Sequence, residues 1–285
     1  MESLELLVVQ ELFMTETAGY AHVVLPAAPF LEKNGTFTNG ERRIQRVNRL
    51  VEPLEGTKAD GQIIVDIINR MGYPQEGYDP DITLQKISQV VPFFKGVRWK
   101  ELGDNGKQWP VLEDGTNTKI MHKDTFKRGK GKLHFFDWQE TLELIDHQEQ
   151  FPYILTTGRI LEQYNCGTMT HRTANQDLLS KDTLIINPAD AADKKITDND
   201  RVRLSSARGD VLLNARLSDE VKPGILYTTF HFPEAMVNQV TSEITGEESL
   251  CPEYKVAAVD FELVPQEAGD RRTGSLKKDP NASPA

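Results

Sequence analysis

The chain has 285 residues, 38% hydrophobic and 27% charged, which is enough for two domains with cores of their own and too apolar for wholesale disorder. Its formal charge of −10 repels a phosphate backbone and argues against nucleic acid as a partner. Two cysteines, Cys166 and Cys251, are too few for a disulfide framework, no run of ~18 apolar residues offers a membrane segment, and the acidic start MESLELLVVQE lacks the basic region of a secretory signal, so a reducing, cytoplasmic setting is expected.

The apolar run Leu4–Val9 reads as a buried strand that begins almost at once, as if a domain had been entered midway. Thr15 is placed to cap a short helix in TETAGYA, and His22–Pro26 gives a second short strand, so a strand, helix, strand unit is expected. Two Asn-Gly pairs, Asn34-Gly35 and Asn39-Gly40, mark a turn-rich segment before the basic stretch Glu41–Arg49. In GQIIVDIINRMG, Ile63, Ile64, Ile67 and Ile68 fall on one face of an amphipathic helix closed by Gly72 and Pro74. Residues 93–150 show weak periodicity with scattered Gly, Trp and Pro, and read as a connecting excursion; within it Lys123–Lys132 is a solvated basic loop. From Phe151 the texture changes to short β-runs, FPYILTT, TLIIN, RVRLSS, DVLLNARL, GILYTTF and KVAAVDFELV, separated by turn residues. Asn187-Pro188-Ala189-Asp190 predicts a helix start and Ala207–Asp210 a hairpin turn. Residues 265–285 have almost no large apolar groups and are expected to form a mobile tail.

Self-contained catalytic machinery is not evident. The six histidines show neither HxxxH nor HxH spacing, the cysteines have no zinc-type partners, and there is no GxGxxG or Walker loop. What remains are small, polar and basic residues placed just after strands, where backbone amides can approach a phosphorylated ligand. Thr156-Thr157-Gly158-Arg159 follows FPYIL; Gly158 would allow close backbone approach, and Arg159 offers a planar donor fork. EKNGTFTNGERR brings Lys33 together with two Asn-Gly turns and an arginine pair, and FHFPEAMVN and CPEYKV hold Asn238 and Lys255. Taken alone each is weak, and EKNGTFTNGERR by itself reads better as an exposed charged loop.

In order along the chain, however, these segments resemble the molybdenum/tungsten oxidoreductases that carry a bis-pterin guanine dinucleotide, and most closely the large subunits of formate dehydrogenases. The resemblance rests on TAGYAHVVLPAAPFLEKNGTFTNGERRIQR, GVRWKEL, QWP, FKRGKGKLHF, TTGRILEQYNCGTMTHRT, INPADAA, FHFPEAMVNQVT and PEYKVAAV. It implies that residues 1–92 are the later part of an α/β Rossmann-like domain, and that 151–264 form a mainly β six-stranded double-psi barrel of the dinucleotide-binding, aspartate-decarboxylase-like kind. It also implies site residues. Gln10, Glu11, Lys33 and Asp60 would contact one pterin dinucleotide. The run Thr157, Gly158, Arg159, Ile160, Leu161, Glu162, Gln163, Tyr164, Asn165 and Cys166, with Asn238 and Lys255, would contact pterin and phosphates in the barrel. Phe230 would line the substrate funnel. His22 departs from the acidic residue common before the VVLP strand, and Cys166 is read as a small packed thiol rather than a metal ligand.

The family's iron–sulfur motif, its cysteine or selenocysteine metal ligand and its formate-handling His and Arg are not found in the sequence. The expectation is therefore the C-terminal, cofactor-cradling part of a formate dehydrogenase, with no catalytic residue, metal ligand or iron–sulfur cluster of its own. The cofactor, with Mo or W, would be shared with an N-terminal part or partner subunit. A pterin-holding maturation module and a nitrate-reductase-like enzyme on the same scaffold are the alternatives, since fold does not fix substrate.

Overall fold

The structure is a computed structural model that describes residues 1–246 and 249–265; the expected tail beyond Pro265 lies outside the described residues. The chain divides into two compact units, one of residues 1–135 and the other from residue 136 onward.

In the first unit, strand β1 (Val8–Glu11) pairs in parallel with β2 (Val23–Pro26), and the four-residue helix α1 (Glu16–Gly19) lies between them. Thr15 caps α1, accepting from the Ala18 amide at 3.2 Å, as its position predicts. His22 Nδ1 accepts from the Leu7 amide at 3.0 Å, locking the start of the pair. The apolar run does not make a buried strand over its whole length: Leu4 and Leu6 are unpaired and exposed, and Val8 and Val23 are 45% and 43% exposed. Two strands alone cannot cover one another's faces, and parallel sheets ordinarily need cover on both.

The turn-rich segment closes a hairpin that the sequence did not announce. Strand β3 (Gly35–Thr38) pairs with β4 (Arg43–Val47), and β4 with the two-residue β5 (Lys107–Gln108). Helix α2 (Asp60–Arg70) follows the amphipathic pattern and buries Ile63, and Gly72 beyond it has φ +89°. Helix α3 (Pro80–Val90) starts from Asp79, whose carboxylate accepts from the amides of Asp81 and Ile82. The stretch read as a connecting excursion is packed in its first half: Val97, Leu102 and Val111 are buried with Ile44 and Leu84 in this unit's core.

The second unit begins with α4 (Leu142–His147) and is otherwise built on a closed barrel of six strands. They are β6 (Tyr153–Gly158), β7 (Thr183–Ile186), β8 (Arg201–Ser206), β9 (Gly209–Leu217), β10 (Ile225–Thr229) and β11 (Ala257–Leu263), in the order β10-β6-β11-β8-β9-β7. Pairs β6–β10 and β7–β9 are parallel and the rest antiparallel. Each expected β-run supplies one strand, and closure removes the open edges. The short helix α5 (Asn175–Leu178) precedes β7 and α6 (Pro188–Asp193) follows it, with Ala191 of α6 buried in the barrel core; Asn187 caps α6 through the Ala189 amide at 2.9 Å. Alternation along the strands sends Leu155, Leu184, Ile186, Val202, Leu204, Leu213, Leu226 and Phe261 inward, each at most 3% exposed. At ~1.5–3 kcal/mol per buried side chain, this core dominates the unit's stability.

Candidate functional site

In the first unit, three of the four residues singled out there converge. The Asp60 carboxylate, at the first position of α2, accepts from Gln10 Nε2 at 2.6 Å and from the Lys33 ammonium, whose Nζ also donates to the Ala28 carbonyl at 2.8 Å. Burial works to raise the Asp60 carboxyl, but the hydrogen bonds from Lys33 and Gln10 and the charge of Lys33 outweigh it and hold the group below the usual carboxylate range. Its side chain remains 43% exposed. The result is a fixed, ionised acceptor at a helix start with lone pairs left for a further donor. Tyr78 packs against Gly61 behind it, where an added Cβ would lie 2.4 Å from the ring. Glu11, the fourth residue, turns aside and accepts its neighbour Leu12's amide at 2.7 Å.

In the barrel unit Thr157 and Gly158 end β6, and residues 159–166 continue from it as a loop. Thr157 is buried; its hydroxyl donates to the Tyr254 carbonyl at 2.9 Å, and its own carbonyl accepts from Lys255 Nζ at 2.8 Å, so the two ends of this candidate set meet. Gly158 serves close packing: a Cβ there would stand 2.2 Å from the Tyr227 hydroxyl, so the neighbour it admits is a side chain of the fold. Arg159, Leu161, Tyr164 and Asn165 are exposed, and Ile160 and Glu162 are half-buried. Gln163 faces inward. Its amide donates to the Leu179 carbonyl at 2.9 Å and accepts from the Thr170 hydroxyl at 2.6 Å, which leaves its backbone for any ligand.

Cys166 departs from the packed thiol expected. It is exposed in the loop, just after the left-handed Asn165 (φ +50°), with Sγ 3.1 Å from the Thr168 hydroxyl. With Phe230, Phe232, Met236 and Asn238 it lines a cavity of about 410 Å³, which unites three of the expected residues. Among the described residues, no group of three or more His, Cys, Asp or Glu side chains is placed to hold a metal ion.

The family described as molybdopterin oxidoreductase matches residues 1–70, and that described as molydopterin dinucleotide binding domain matches residues 153–258, together more than half of the chain. This chain belongs to the molybdopterin oxidoreductases. It is 40% identical over 270 residues to the F420-dependent formate dehydrogenase subunit alpha of Methanocaldococcus jannaschii, covering 93% of this chain and 40% of that relative. It is 37% identical over 270 residues to the F420-dependent formate dehydrogenase 2 subunit alpha of Methanococcus maripaludis, with the same coverages of 93% and 40%. A putative formate dehydrogenase of Staphylococcus aureus is 34% identical over 272 residues, covering 92% of this chain and 27% of the relative. The chain thus spans 40% or less of the length of these curated relatives. Among solved structures, acetylene hydratase from Pelobacter acetylenicus superposes with a TM-score of 0.66 over 91% of this chain and 40% of that one, at 18% identity, which shows the fold.

Two residues of this molybdopterin oxidoreductase chain carry the barrel loop and were not among those expected. His231, fully buried after β10, contacts both ends of the loop: Ile160 N donates to its Nε2 at 3.2 Å, and its Nδ1 lies 2.5 Å from the Asn165 carbonyl. Asp182, 4% exposed, accepts from the Thr229 hydroxyl and from the amides of His231 and Phe232 at 3.4 and 3.0 Å. The available signal was a polar residue between two phenylalanines just beyond a strand, and an acid just before the run TLII.

Proposed function

We propose that the chain is the dinucleotide-cradling part of a molybdopterin-dependent formate dehydrogenase. It would work with protein elements outside these residues that bring the iron–sulfur cluster and the cysteine or selenocysteine metal ligand. The observation that carries this reading is the convergence of Gln10 and Lys33 on the ionised, half-exposed Asp60, residues far apart in sequence whose arrangement leaves acceptor capacity facing solvent. The identity to formate dehydrogenase alpha subunits along 93% of the chain supports the choice of substrate. The exposed apolar residues of β1 and β2 support further protein cover, as the missing neighbours of a larger Rossmann-like sheet would provide.

In each unit taken by itself, the residues present fit part of a pterin guanine dinucleotide. Asp60 would accept from the ring N–H and amino group of a guanine as a bidentate pair, while Lys33 balances its charge and that of a nearby phosphate. Arg159 offers its exposed fork, and Lys255, anchored through the Thr157 carbonyl, keeps further donors for phosphate oxygens. Gly158 and the backbone from Ile160 to Cys166 would contribute amides and carbonyls. The cavity bordered by Phe230, Cys166 and Asn238 would be the mouth through which formate enters. When bound, the metal–pterin group, with Mo or W, supplies the redox chemistry by which formate yields carbon dioxide, two electrons and a proton. The chain binds and orients the group and excludes water around it, and is inactive toward formate on its own. The assembled enzyme would act in the cytoplasm. Among the described residues no helix is long and apolar enough to cross a membrane.

Purification of the native protein with its associated chains tests this. Mo or W near one per complex, released pterin and formate-dependent reduction of a redox dye are expected, with a cysteine-motif sequence present in the same assembly. A complex rich in the cofactor and inert to formate would overturn the formate assignment, and one with no pterin would overturn the cradle.

A further inference from the structure

From Arg159 to Gly167 the chain has no strand or helix, and its backbone is fixed by side chains. Tyr227 donates to the Arg159 carbonyl at 3.3 Å, Asn175 to the Glu162 carbonyl at 2.7 Å, and the Tyr164 amide to the Thr170 hydroxyl at 3.2 Å. His231 holds two backbone points, Ile160 and Asn165, and so sets the span of the loop between them.

The direction of its bonds fixes its chemistry. An amide N–H can only donate, so Nε2, facing Ile160 N at 3.2 Å, is the unprotonated nitrogen. The proton of the neutral ring is then on Nδ1, aimed at the Asn165 carbonyl 2.5 Å away. A doubly protonated ring would set two N–H groups against each other at Ile160. Asp182 positions the ring from behind by accepting the amides of His231 and Phe232 and the Thr229 hydroxyl, which fixes the backbone as it leaves β10.

We propose that His231, as a neutral imidazole seated by Asp182, is the positioning residue of the 159–166 loop, and that it pre-forms the backbone surface that meets the pterin dinucleotide. The proposal rests on the reading of that loop as a cofactor contact. His231 touches no ligand itself. It acts by removing the freedom the loop would otherwise lose on binding.

The test compares the assembled enzyme with its His231→Gln and His231→Phe variants. Glutamine carries one acceptor and one donor and can remake both bonds; phenylalanine fills the space and makes neither. In the parent, the ¹⁵N shifts of labelled histidine should show Nδ1 protonated and Nε2 bare; an Nε2–H tautomer or a doubly protonated ring overturns the proposal, whatever the variants do. In His231→Phe, amide exchange over 160–167 should rise at least about tenfold while 201–217 stays protected, and pterin should be lost about tenfold to a hundredfold faster on dilution. Glutamine should restore both. Unchanged loop exchange in the Phe variant overturns the clamp. Faster exchange with unchanged pterin retention overturns the proposal through the reading it rests on, because the loop would then be held by His231 and not used by the cofactor. Should the Phe variant fail to fold, parent-like loop protection in the Gln variant supports the clamp, and loop exchange raised tenfold over an intact barrel overturns it.

Discussion

Replacing Glu143 by alanine removes the carboxylate that pins α4 to the barrel. Its side chain is 1% exposed and forms a bidentate pair with Arg208, at 3.0 Å to Nη1 and 2.6 Å to Nη2, while Oε1 also accepts the Ala258 amide of β11 at 2.9 Å. The variant leaves the Arg208 guanidinium, 17% exposed, without its counter-charge and the Ala258 amide without an acceptor. Breaking a buried pair from one side costs about 3–5 kcal/mol. With a denaturant dependence of ~2 kcal/mol per molar urea, the unfolding midpoint of the barrel should fall by about 2 M. Amide exchange of 201–217 and 257–263, pulse-labelled along a urea series, reads the barrel separately from the first unit, where Trp99 and Trp109 lie. Acid adds a second signature. Burial pushes the Glu143 carboxyl up, but Arg208, the Ala258 amide and the Ser242 hydroxyl together outweigh it and hold the group below its ordinary value of 4.5. A depressed folded-state pKa stabilises above the unfolded value and is lost as the pH falls through the folded one. The gap between the parent and Glu143→Gln should therefore be full near neutrality and close progressively below about pH 4.5. A midpoint shift under about 0.3 M, or a gap that does not change with acid, would refute the reasoning.

Asp60→Asn removes the charge that Gln10 and Lys33 surround; because the pair is partly exposed, folding should change by less than about 1 kcal/mol, while retention of the guanine-bearing cofactor weakens roughly tenfold to a hundredfold, measured as pterin per mole after gel filtration. Equal retention would show that Asp60 is a structural ion pair. Gly96→Ala places a Cβ 1.6 Å from the Leu112 carbonyl oxygen, so the first unit should lose about 1–3 kcal/mol or more, seen as a lower urea midpoint by Trp fluorescence; an unchanged midpoint would mean that the 96–112 approach is not held in solution. Phe135, Phe136 and Trp138 are 90%, 82% and 84% exposed. Changing all three to serine should alter the chain's own stability by no more than about 1 kcal/mol but reduce its recovery with associated protein in pull-down, and unaltered recovery would show that the segment covers nothing.

The barrel was legible because its strands are self-announcing: β-branched and aliphatic runs of the right length, with polar turns between, leave little other structure for them to form. Helix α6 was legible from Asn187 and Pro188, since capping chemistry acts within one turn of chain. The hairpin of β3 and β4 was not, because Gly35–Thr38 is short and its one large residue, Phe37, is 56% exposed, so neither face carries an alternating pattern. Helix α3 carried the same kind of cap, Asp79 before Pro80, and its buried face was reduced to Leu84 with Ile87 at its margin, too narrow to stand out. The candidate site divides along the same line. Gln10, Lys33 and Asp60 came from the ordered resemblance, not from local spacing, since Gln10 and Asp60 are 50 positions apart. Asp182, His231 and Glu143 escaped notice because an isolated polar residue is ordinarily solvated, and only tertiary structure brings Glu143 to an amide 115 residues away or Asp182 to one 50 away. Burying such groups is costly unless every polar atom finds a partner. Where Asp182 and Glu143 remain nonetheless, each fixes backbone at a junction: one where the chain leaves β10 toward the loop, the other where α4 meets β11. Asp182, just before the apolar run of β7, can therefore be recognised as a clamp only once the register of the neighbouring strands is known, and Glu143, inside α4, only once that helix is seen against β11.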